Sequence, residues 1–169
     1  SPPDFGTLYS GRALDFDGLT DYLSASNVPI STTATYSTWL KLEDISGTKD
    51  FFKHGSDISL RVVNATFVAI TDGSTEVSTG NIFAADIWHH VVFTASGTTF
   101  KIYLDGVEET LTDDSGNALS GTIGTLLVGA ASAYFEGKMT NPQVWDKVWS
   151  LTDVQYAYTH PEKLITDNS

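Results

Sequence analysis

The stretch Trp88-His89-His90-Val91-Val92-Phe93-Thr94, followed by Ala95-Ser96-Gly97-Thr98-Thr99 and then Phe100-Lys101-Ile102-Tyr103-Leu104-Asp105-Gly106-Val107, decides the fold. Two runs rich in β-branched and aromatic residues flank a short Ser/Gly/Thr connector, which predicts a long β-hairpin. Phe100, Ile102 and Leu104 share one face of the second run, while Lys101 and Tyr103 share the other. Asp105-Gly106 supplies the positive-φ residues of a tight turn into Val107-Glu108-Glu109. The first run is apolar on both faces, with Trp88 and Val92 on one and Val91 and Phe93 on the other. Its strand therefore belongs inside a sheet and not at an edge. His89 and His90 are neighbours, so on a strand they face opposite sides and do not chelate one metal together.

Upstream, short strands recur with turn signals between them. Leu14 and Phe16 alternate with Asp15 and Asp17, Gly18-Leu19-Thr20 bends the chain, and Tyr22-Leu23 resumes it. Thr35 to Glu43 carries Tyr36, Trp39, Leu40 and Leu42, and Trp39 is expected in the core. Phe51 to His54, the turn Gly55-Ser56-Asp57 and Ile58 to Val63 form another hairpin, and Asn64-Ala65 turns the chain into Thr66 to Ile70. Downstream lie an acidic loop at Asp113-Asp114-Ser115-Gly116-Asn117, a strand from Gly124 to Gly129, and a closing strand within Phe135 to Asp146. Ser150-Leu151-Thr152-Asp153 reads as the capping-box start of a short helix through Tyr158. With no helical period before that point, the pattern predicts an all-β antiparallel sandwich with a short C-terminal helix. Phe16, Trp39, Val91 or Val92, Ile102 and Val144 are its expected core, with the strand near Leu14 beside the closing strand.

The W-H-H-V…Y-x-D-G hairpin resembles the signature hairpin of laminin G-like and pentraxin-like domains in the concanavalin A-like lectin/glucanase superfamily. Asp17-Gly18, Asp21-Tyr22, Ser37-Thr38-Trp39-Leu40-Lys41 and Phe135-Glu136-Gly137-Lys138-Met139-Thr140-Asn141 resemble further motifs of that family, and Trp145-Asp146 to Leu151 resembles the pentraxin ending. The resemblance covers about residues 10 to 158 of one domain spanning 1–169, and implies a jelly-roll sandwich. It also implies ligand binding by rim loops, here His54-Gly55-Ser56-Asp57 and Gly129 to Tyr134. His54, Asp57, Ser132 and Tyr134 are the candidate ligand contacts, with Tyr134 the aromatic platform. The acidic triplet that binds rim calcium in pentraxins is missing from the second loop. A structural Ca2+ of the glucanase type would fall to Asp17 and Asn141, the latter standing where an Asp is usual.

Composition narrows the chemistry. Nine basic residues against 21 acidic ones give a formal charge of −12, a field that repels nucleic acid and anionic membranes. The aspartates cluster in turns, where they serve turn geometry, divalent-cation binding or adaptation to salt. No apolar run approaches the ~20 residues that span a bilayer. The absence of cysteine excludes disulfides, zinc–thiolate sites and thiol nucleophiles. An EF-hand through Asp15-Phe16-Asp17-Gly18 fails, because Ala13 and Ser24 would occupy its first and last ligand positions. A retaining glucanase needs two carboxylates about 5 Å apart. Glu43-Asp44, Glu108-Glu109 and Asp113-Asp114 are adjacent pairs facing opposite ways or lying in turns, so no catalytic residue is assigned.

The expectation is a non-catalytic recognition module, extracellular or on a virion surface, with a glycan or protein ligand. Its rival is a structural module of a larger assembly such as an appendage, adhesin or capsid decoration, which an exposed Trp149 beside Trp145 would favour. Ser1-Pro2-Pro3-Asp4 suggests a piece of a longer polypeptide.

Overall fold

The computed structural model describes residues 13–161, so the Ser1-Pro2-Pro3-Asp4 segment lies outside the described residues. The signature hairpin forms as two strands, β8 (Trp88–Ser96) and β9 (Thr99–Leu104), paired antiparallel from Ser96↔Thr99 to Val91↔Leu104. Asp105 and Gly106 both take positive φ, at 51° and 81°. That backbone matches the twist of the flanking strands and returns the chain as β10 (Val107–Glu108).

Around the hairpin stand β1 (Leu14–Asp17), β3 (Thr33–Leu42) and β13 (Glu136–Trp145), giving a six-stranded antiparallel sheet in the order β1-β13-β3-β8-β9-β10. β8 is interior, as its two apolar faces require. β1 lies on the closing strand with Leu14 opposite Met139. The second sheet contains β2 (Leu23–Pro29), β4 (Thr48–His54), β5 (Ile58–Val63), β6 (Thr66–Thr71), β7 (Thr75–Asn81), β11 (Leu111–Asp114) and β12 (Ile123–Val128), ordered β11-β7-β6-β5-β4-β12-β2. Part of the expected acidic loop is thus the edge strand β11. The strand-turn-strand near Asp17 is not a hairpin, since β1 and β2 belong to different sheets.

Side chains from both sheets interleave in one core that includes Phe16, Tyr36, Leu40, Phe52, Leu60, Phe67, Val91, Phe93, Ile102 and Met139, with Val144 packed at its margin. Between the sheets Phe67 stacks on Phe93 and Phe93 on Phe100. The outer face of the six-stranded sheet is buried too. Helix α1 (Leu151–Thr159) lies over it, and Val92, Tyr103, Trp149, Val154 and Ala157 make a second apolar cluster with Trp145 against them. Ser150 caps the helix: its hydroxyl accepts from the Asp153 N–H, and the Asp153 carboxylate accepts from the Ser150 N–H.

Trp39 is a correction to the expected core. It alternates with the inward-facing Leu40 and Leu42, so it points away from the sandwich and stacks on Tyr158 of α1 at 5.7 Å. Val91 and Val92 are both buried, one in each cluster. Trp149 is 4% exposed and packs edge-on against Trp145 at 6.1 Å, so the exposed tryptophan that would have favoured the assembly reading is not present. Among the described residues no helix is long and apolar enough to cross a membrane.

Candidate functional site

One end of the sandwich is shaped by the β1–β2 turn and the loop from Gly129 to Phe135. The Asp17 carboxylate organises the turn by accepting from the Leu19, Thr20 and Asp21 N–H groups at 2.8, 2.9 and 3.2 Å. Those donors, Thr20 first, hold its carboxyl below the usual carboxylate range. Gly18 sits at φ 74° with its N–H on the Phe135 carbonyl. A Cβ there would stand 2.9 Å from the Glu136 Cβ, so the turn closes on the loop only because this residue is glycine.

The loop is pinned from beneath by Asp50 on β4, which is 0% exposed. One carboxylate oxygen lies 2.8 Å from the Arg61 Nε, and the other accepts from the Ala133 N–H at 2.6 Å and the Ser132 hydroxyl at 3.1 Å. A buried carboxylate without such partners carries a large desolvation penalty. Gly129 permits the close approach, since a Cβ there would meet the Phe16 ring at 2.4 Å. The outcome is an aromatic pair presented to solvent. Tyr134 (40% exposed) and Tyr22 (51% exposed) stand with ring centroids 6.4 Å apart, tilted at 46°, with Leu19 exposed on the adjoining turn. At the Asp17 turn opens a cleft of about 250 Å³ lined by Asp15, Phe16, Asp17, Asp21, Glu43 and Glu136. Lys138 holds Asp15 at 2.7 Å.

Of the four expected ligand contacts, Ser132 and Tyr134 lie on this loop and are exposed, whereas His54 and Asp57 are buried. His54 accepts the Tyr36 hydroxyl proton at Nδ1 (2.7 Å) and faces the Val28 carbonyl through Nε2 (3.0 Å), and burial lowers its pKa. The Asp57 carboxylate accepts from the N–H and hydroxyl of Ser120, at 2.7 and 2.6 Å. Both are therefore structural clasps. The aromatic partner of Tyr134 is Tyr22, which the sequence reading matched to a motif without giving it a contact role.

Asp17 and Asn141 do not come together, which corrects the expected metal pair. Asp17 is in register with Glu136, and Asn141 follows five residues later on the same strand, roughly 16 Å away at a strand's rise per residue. The backbone donors on Asp17 all fall on one carboxylate oxygen, and at this separation the two residues do not fit a shared ion. Among the described residues no group of three or more His, Cys, Asp or Glu side chains has metal-binding geometry.

The two histidines of the signature strand face opposite ways, as alternation demands. His89 pairs through Nδ1 with Asp105 at 2.9 Å. His90 lies between Trp39 and Tyr158 at 5.1 and 6.3 Å, with Nε2 at 3.1 Å from the Ser37 hydroxyl. Burial pushes its pKa down to about 4. Ser37, His90 and Asp105 are neighbours but form no nucleophilic relay. The Asp105 carboxylate holds the His90 backbone N–H and the His89 ring instead, and Ser37 is buried beneath the helix layer.

With this geometry in place, the family is decided by a match over residues 16–155 to the concanavalin A-like lectin/glucanases superfamily, laminin G type. The chain belongs to that superfamily. Among curated proteins no sequence relative matches. Solved members of similar fold include the heptameric SAP-like pentraxin of Limulus polyphemus, at 17% identity, TM-score 0.69, and coverage of 85% of this chain and 80% of that one. A domain of an extracellular arabinanase from Geobacillus stearothermophilus, solved with arabinotriose, is 16% identical with TM-score 0.64, covering 85% and 75%. A putative carbohydrate-binding protein of Bacteroides ovatus is 15% identical with TM-score 0.67, covering 85% of this chain and 45% of that one. At these identities the likeness is one of fold.

Proposed function

We propose that this domain is a non-catalytic recognition module that holds a glycan against Tyr22 and Tyr134. The observation that carries the reading is the exposed pair of rings, Tyr134 on the loop clamped by buried Asp50 and Tyr22 beyond the turn organised by Asp17. A tyrosine offers an apolar face that stacks on a sugar ring and a hydroxyl that hydrogen-bonds its edge. A loop whose anchor is buried loses little freedom when a ligand arrives. The shallow surface suits an extended chain better than an enclosed small molecule. The arabinotriose complex of the Geobacillus domain and the carbohydrate-binding description of the Bacteroides protein support the reading by analogy of fold. An extracellular or virion-surface location follows from it.

A printed glycan array probed with the labelled domain tests the proposal, followed by incubation with each hit and chromatography of the products. The reading expects at least one reproducible hit, without turnover. Hydrolysis of a bound glycan would replace it with an enzymatic one. An empty array, together with a protein bound through the same tyrosines, would replace the glycan with a protein ligand.

A further inference from the structure

We infer that α1 is an acid-released cover: a proton taken up at His90 lifts the helix off the six-stranded sheet while the sandwich beneath stays folded. His90 is 2% exposed on the outer face of β8, walled by Trp39 of β3 at 5.1 Å and roofed by Tyr158 of α1 at 6.3 Å. Its Nε2 meets the Ser37 hydroxyl, while the buried Nδ1 has no hydrogen-bond partner. A neutral ring tolerates this with Nε2 as donor and Nδ1 bare. A second proton makes both nitrogens donors, and the new N–H lies in a site that offers it no acceptor. Burial holds the pKa down at about 4, against the smaller pull of the Asp105 carboxylate. The faces of Trp39 and Tyr158 attract a cation too, but neither supplies the missing acceptor. The other charged groups on this side of the sheet are Lys41 beyond Trp39, Lys138 opposite Lys41 and held by Asp15, and Lys101 paired with Glu108. Asp153 and His160 stand at the two ends of α1.

Lifting α1 hydrates that nitrogen without disturbing the sandwich. The hydrogen bonds of the helix and its caps stay within residues 150–160, so side-chain packing is what joins it to the sheet. None of its residues belongs to the core between the sheets. Val154 and Ala157 pack instead in the separate cluster with Val92, Tyr103 and Trp149. The chain leading into the helix is fastened differently. The Thr33 and Thr35 hydroxyls donate to the Asp146 and Lys147 carbonyls, and the Thr35 hydroxyl oxygen accepts from the Trp149 N–H. A hinge therefore falls at Ser150, and the segment beyond it is able to open as a unit of its own.

Amide hydrogen exchange, corrected for intrinsic rates, reads the opening of α1 directly. The covered ring holds a proton less tightly than the uncovered one, so acid favours the open helix. With a pKa of about 4 when covered and about 6.5 when exposed, the opening constant of the amides from Val154 to Thr159 rises roughly 20-fold between pH 7 and pH 5. Ordinary carboxylates are still mostly ionised at that point. The amides of β4 and β5, in the sheet that α1 does not cover, keep a separate and far smaller opening constant at both pH values. In His90→Asn the acid response of α1 disappears. Tyr158→Ala removes the roof and leaves the sheet untouched, so its α1 opens often already at pH 7 and gains less in acid. An α1 that opens only together with β4 and β5, an opening that ignores pH, or an acid response that survives in His90→Asn overturns the inference. If His90→Asn does not fold, an undiminished acid response in Tyr158→Ala overturns it instead.

Discussion

Tyr22 and Tyr134 stand 51% and 40% exposed at the rim, whereas Trp39, His90 and Trp149 lie under α1 on the outer face of the six-stranded sheet. Both groups are aromatic, and both sit outside the sandwich core. One rests on a polar anchor, the buried Asp50 carboxylate, and faces water. The other is the floor of a second, smaller core and is closed by a capped helix. Aromatic side chains on this fold therefore divide by what covers them: covered rings contribute stability, and uncovered rings are free to bind.

Truncation under the helix should have the largest effect. Trp149→Ala removes a buried indole from the second cluster, and chemical denaturation should show a loss of about 3–5 kcal/mol. An unchanged midpoint would mean that the helix-covered layer does not carry stability.

Acid should strip the same layer more gently. His90 is neutral when folded, with a pKa of about 4, while the unfolded chain takes up a proton near pH 6.5. Stability is thus complete above about pH 6.5 and falls as the pH drops towards 4, by up to about 3 kcal/mol. Asp105 opposes this shift slightly, and buried His54 adds to it in the same direction. In His90→Asn, unfolding measured between pH 7 and pH 4 should vary distinctly less than in the wild type. Equal slopes would place the proton elsewhere.

How far the sequence foretold this division depends on the range of each interaction. The hairpin from Trp88 to Val107 was legible because alternation and the Asp105-Gly106 turn are local, and so was the capping box at Ser150 and Asp153. The helix lying over Trp39 and Trp149 was not, because period-2 patterning does not show what packs on the far side of a sheet. His54 and Asp57 resembled ligand contacts because they flank a polar turn. Their actual partners, Tyr36 and Ser120, are 18 and 63 residues away. The acidic cleft was missed for the same reason, since its carboxylates come from β1, the turn after it, the end of β3 and β13, and no short motif spans them.

The helix cap gives a smaller test of the covered side. Ser150→Ala leaves the Asp153 N–H without its side-chain acceptor and should cost about 1 kcal/mol, read as a small fall in melting temperature. No fall would show that α1 is held by packing alone.

The most direct test of the account is a paired measurement on Tyr22→Ala/Tyr134→Ala, comparing thermal unfolding with affinity for the strongest glycan on the array. The account predicts a stability within about 0.5 kcal/mol of wild type per site, as for other exposed positions, and binding weakened by roughly 1–3 kcal/mol or lost. Full affinity in the double variant, or a loss of affinity that tracks a loss of fold, would contradict it.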